Sequence, residues 1–190
     1  MTFRSSLAAK ILLVIVLVSI VGFGTSTIFT IHHESVLAID QRKTATRRLA
    51  TALVASIESA MLQERPDVTR TLIQELKGRA GVEGLTVYRR NGVEAFTDLA
   101  TLAEVERNAG VSPEVIDNIR KMRREPGQTM SGPLFRRAVE TLETQESLEI
   151  QDGVTLFVLD QPIPNRETCQ GCHGTDHTVR AVVQIGRAHV

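Results

Sequence analysis

Residues 11–31, ILLVIVLVSIVGFGTSTIFTI, carry no charged side chain. No other stretch constrains the fold as strongly. At roughly 1.5 Å of rise per residue, a helix of this length crosses a hydrocarbon core about 30 Å thick. A cleaved signal peptide needs an apolar region of only about 7–15 residues, so the run is expected to stay as an anchor. Arg4 and Lys10 precede it and predict a cytoplasmic N-terminus over 1–10. The chain after about residue 32 then lies outside the cytoplasm. In that oxidising compartment a CxxC pair can form a disulfide or be consumed by a cofactor.

Beyond the run, apolar residues recur at helical spacing. Val36, Ile39, Leu49, Leu53, Ile57, Ala60 and Met61 fall on one stripe of 35–63, with Arg42, Lys43, Arg47 and Arg48 on other faces. This predicts a long amphipathic helix leading out of the membrane. RPDVT (65–69) breaks it, and a second helix is expected over 69–81, stopped by Gly78 and Gly81. The period then changes. GLTVYRRNGVEAFTD (84–98) sets Asn91-Gly92 between two β-rich runs, a hairpin signal. Ser112 as N-cap and Pro113 at the first helical position open a helix over 112–125. A second hairpin over 146–163 turns at Asp152-Gly153, and 178–185 reads as a final strand. The sum is an α+β fold with about five short antiparallel strands.

The chain has two cysteines and five histidines, and NRETCQGCHGTDH (165–177) holds both cysteines with His173 and His177. CQGCH (169–173) matches C-x-x-C-H, the attachment pattern of c-type haem. Two thiols a short turn apart can add to the two vinyl groups of one porphyrin. The histidine directly after Cys172 then comes beneath the ring as the proximal iron ligand. Gly171 and Gly174 would let the backbone of this loop lie against the macrocycle. A plain CxxC disulfide is one rival, but its thioredoxin-like form calls for a βαβ unit. Zinc on Cys169, Cys172 and His177 is another, but structural zinc sites usually draw a second ligand pair from farther along the chain. The expectation is one covalent haem c on Cys169 and Cys172, with His173 on iron.

These residues, together with AMLQERPD (60–67), GVEGLTVYRRNG (81–92) and PIPNRETCQGCHGTDHTVRAVVQI (162–185), resemble the extracytoplasmic haem-binding, PAS-like sensor domains of bacterial chemoreceptors, sensor histidine kinases and nucleotide cyclases. The resemblance spans nearly the whole chain, and its specific element is CxxCH. It implies a single-pass protein of the bacterial inner membrane whose periplasmic PAS-like domain occupies 32–186. It also implies a C-terminal output module, a kinase or cyclase for example, beyond this chain. The closing IGRAHV reverse-translates to the start of a common sequencing adapter. Residues 187–190 are therefore expected to be non-native, and His189 is not counted as a ligand.

The sixth iron position has several candidates: Met61, Met122, Met130, His32, His33 and His177. The resemblance favours Met61, which lies late on the long helix where a methionine can approach the iron; ordinary core packing is its rival. The functional expectation is an input domain responding to redox state or a small gas ligand and signalling through the membrane helix. The alternative is a membrane-anchored mono-haem cytochrome exchanging electrons with a redox partner. A formal net charge of zero gives no footing for nucleic acid. The segment shows no nucleophile, phosphate loop or paired-carboxylate site, so no enzyme activity is read in it. The long helix suggests a homodimer.

Overall fold

The computed structural model describes residues 7–79, 81–97, 99–108, 111–122, 129–151 and 153–188, with backbone alone at Ala8, Ser35, Val36, Ala38 and Met122. The chain forms two compact units, Met1–Lys43 and Thr44–Val190.

Helix α1 runs Leu7–Leu62, so the expected membrane helix and long amphipathic helix are one element. Its N-terminal part is long and apolar enough to cross a membrane by length and composition. The large apolar side chains there, from Leu7 and Ile11 through Phe29 and Ile31, are exposed. Apolar surface on that scale calls for an apolar cover.

In the second unit, residues 44–62 of α1 lie on one face of the sheet. Ala50, Leu53, Val54 and Ile57 are buried against Leu85, Val87, Leu159, Ala181, Val183 and Ile185. The spacing i, i+3, i+4, i+7 turns one stripe of the helix to the core; Leu53 and Ile57 stand on it as expected, with Leu49 and Met61 packed beside it, whereas Ala50 and Val54 were not on the expected stripe. Glu64, at φ 56, leaves the helix, and α2 (Pro66–Leu76) starts with Pro66 in its first turn. It ends earlier than the spacing predicted. Lys77 is already extended, and Gly78 and Gly81 take φ 79 and 72 in the turn beyond.

The sheet has four antiparallel strands in the order β1-β4-β3-β2: β1 Val82–Arg89, β2 Gln145–Gln151, β3 Val154–Pro164 and β4 Val179–Ala188. The last strand is central because both its faces are apolar: Val182, Val183 and Ile185 are fully buried. Its pairing continues through Arg187 and Ala188; His189 lies outside the described residues. The β2–β3 hairpin forms as expected, with Gly153 at φ 78 and Asp152 outside the described residues. The Asn91-Gly92 hairpin also forms, with β1 as its first arm. Its return is short: one bridge, Tyr88 to Glu94, flanked by hydrogen bonds from Arg89 N–H to Val93 O and from Ala95 N–H to Val87 O, while the Gly92 carbonyl accepts from the Met130 N–H at 2.8 Å.

Helix α5 (Pro133–Thr141) covers the opposite face, where Phe135 and Ala138 meet Tyr88, Val179 and Val182. Helices α3 (Leu99–Arg107) and α4 (Pro113–Met122) build a small core of Leu102, Val105 and Ile116. Ser112 precedes α4 as expected, and its carbonyl accepts from the Ile116 N–H; residues 123–125 lie outside the described residues.

Candidate functional site

The Cys/His segment is helical, where a loop was expected. Helix α6 spans Glu167–His173, follows an extended Arg166, and ends at Gly174 with φ 75. Asn165 ties the returning loop down. Its Nδ2 donates to the Gly174 and His177 carbonyls at 2.9 and 3.1 Å, and its N–H donates to Thr178 O. Asn108, just past α3, donates to the Cys172 carbonyl at 2.9 Å. These bonds set the orientation of α6 before any ligand is considered.

Beside α6 is an apolar cleft that opens to solvent at its mouth. Met61 and Ile57 of α1, Val87 of β1, Leu102 and Val105 of α3 and Ile119 of α4 line it, together with Cys172 and His173. Three of the four expected site residues, Met61, Cys172 and His173, therefore converge on one cleft. Cys169 does not line it and is buried, at 5% exposure. No disulfide joins the two cysteines.

Burial, with help from the charges of Arg89 and Arg180 and from His177, pushes the His173 imidazole down to about 3. It is neutral at physiological pH, the form that ligates a metal. Burial also pushes the Cys172 thiol up, assisted by Glu64 and Cys169 and opposed by Arg180. A protonated thiol is a poor free nucleophile. Two polar atoms in the wall, Thr69 Oγ1 and Arg180 Nη2, are buried without a hydrogen-bond partner.

The remaining sixth-ligand candidates lie elsewhere. His177 faces an adjoining polar cleft, with its Nδ1 2.6 Å from Asp176 Oδ1. Met130 packs with the Tyr88–Phe135 cluster. Met122 ends α4, and its side chain lies outside the described residues. His32 and His33 belong to the Met1–Lys43 unit and are exposed. Among the described residues, the donor atoms that gather within 4.8 Å of one another are those of Glu104, Asp176 and His177. The thiols are not among them, which counts against zinc on Cys169, Cys172 and His177.

Sequence reasoning missed three parts of the cleft. The α3 wall carries only a faint signal, the spacing of Leu99, Leu102 and Val105. Phe96 lines the cleft at φ 67, a left-handed conformation that is an outlier for so bulky a residue. Arg180, a charged residue inside the apolar run TVRAVVQI, had a legible signal that went unused. Gly171 has open space around it, so of the two glycines only Gly174 answers a backbone demand. No protein-family model matches the chain, and no curated protein is significantly similar to it.

Proposed function

We propose that the chain is the membrane-anchored, extracytoplasmic input domain of a signalling protein, built around one haem c. The observation that carries this reading is the convergence of Cys172, neutral His173 and Met61 on one apolar cleft. Haem bound there would supply a one-electron couple and an open or exchangeable coordination position. His173 offers a neutral imidazole, and Met61 a soft thioether from α1, the helix that begins with the apolar run. Ile57, Val87, Leu102 and Val105 exclude water from the same space. Cys169 and Cys172 would hold the ring by thioethers, Cys169 from a buried position on α6. The α+β architecture is compatible with a PAS-like sheet, the Tyr88–Glu94 bridge standing where a fifth strand would pair.

Production of the full chain with a cytochrome c maturation system tests the reading. The expected product is red and keeps its haem stain in a denaturing gel, and Cys172→Ala leaves at most one thioether. A colourless product after maturation would overturn the proposal.

A further inference from the structure

We propose that Arg180 is the carboxylate anchor of the cleft and holds a propionate of the haem, an assignment that rests on the haem reading above. It starts from strand register. The β3–β4 ladder pairs Ile163 with Ala181 but Pro164 with Val179, so Arg180 is an extra residue on β4. A bulge of this kind re-aims a side chain out of the regular alternation. The arginine is thereby directed to the cleft wall, where it lines the space together with Ala181 and His173.

The residue is 5% exposed, and its Nη2 is buried with no hydrogen-bond partner. A guanidinium stays charged at any physiological pH, and a buried charged donor without an acceptor is among the costliest arrangements a fold can hold. Among the described residues lining the cleft, only Glu64 is a carboxylate, and it is exposed. Arg89 lines the same wall. An apolar body facing a buried cation fits a ligand that is apolar over most of its surface and bears a carboxylate. A porphyrin with propionates has that chemistry. So does a free apolar carboxylic acid, and the experiment separates the two.

The haem-loaded full chain, in detergent, is compared with its Arg180→Gln and Arg180→Lys variants by resonance Raman spectroscopy and redox titration. Arg180→Gln is expected to shift the propionate bending band and lower the midpoint potential, since the bared carboxylate favours ferric iron. Arg180→Lys, which keeps the charge, should recover most of the potential. A band and potential unchanged in Arg180→Gln would overturn the anchor while leaving the haem reading intact. If Arg180→Gln fails to fold, the wild-type chain still decides the matter when loaded with haem carrying ¹³C-labelled carboxyls. A carboxylate stretch displaced from that of water-exposed propionate supports the anchor, and a water-like stretch overturns it. A chain that takes no haem but binds an apolar carboxylic acid through Arg180 would overturn both proposals together.

Discussion

Asp160, on β3, is buried at 5% exposure and accepts one hydrogen bond, from Gln184 Nε2 at 2.9 Å. Burial raises its carboxyl above the ordinary 3.8; Gln184 opposes the rise and Glu149 adds to it. Between 3.8 and the raised value the folded chain holds the proton more tightly than the unfolded chain, so stability falls as pH rises through that window. Asp160→Asn should therefore raise the melting temperature at neutral pH. The gain should shrink as pH falls through the raised pKa toward 3.8, measured by thermal melts across pH. Asn165 should behave in the opposite sense. Its Nδ2 serves two carbonyls at the end of α6, so Asn165→Ala should cost about 1–3 kcal/mol. Asn165→Asp should cost more, since a carboxylate would then face the same two carbonyl oxygens. Denaturant unfolding measures both. The two thiols give a third contrast: in the reduced, haem-free chain a maleimide should modify half-buried Cys172 before buried Cys169, as peptide mapping over time would read.

Elements were legible in the sequence where a long or strict pattern repeats. The apolar run and the stripe from Leu49 to Met61 gave α1, and the β-branched run in 178–185 gave β4. Short elements were not: α3 and α5 are nine residues each, too few for a periodic signal to stand out. The second arm of the Asn91-Gly92 hairpin is short, returning along β1 from Val93 to Ala95. Gly92 is held at φ 80, and a Cβ on it would meet the Met130 carbonyl oxygen at 1.9 Å. The turn signal was sound, and a segment far along the chain adds a hydrogen bond from Met130 N–H to the Gly92 carbonyl. Gly92→Ala should accordingly destabilise by more than about 1 kcal/mol, the strain of positive φ alone, with the steric overlap added. A melt of the variant indistinguishable from wild type would show that this contact is not made in solution. The candidate site divides in the same way. Cys172 and His173 follow from local spacing, whereas Arg180 depends on a bulge and Phe96 on a positive φ. Neither is written in a five-residue pattern.

At the scale of the whole molecule, the consequential fact is that one helix contains both the apolar run and Met61. On the anchored reading proposed above, the full chain should stay with membranes after an alkaline carbonate wash. Met61 also lines the cleft that His173 lines. A thioether is a soft ligand and prefers ferrous to ferric iron, so reduction should tighten any bond from Met61 and pull on the end of α1. Shifts of about 1–2 Å are the size that helices use in switching. A gas ligand competing for the same position would release the helix, and one site would then read two inputs. Neither input biases the helix unless it binds the two arrangements with different free energies. Met61→Ala in the haem-loaded chain puts this to measurement. Loss of the six-coordinate low-spin ferrous spectrum, with CO binding tightened because no side chain has to be displaced, is the expected result. An unchanged spectrum and CO affinity would assign Met61 to the packing it already makes against the sheet core, and would remove the helix from the signalling path.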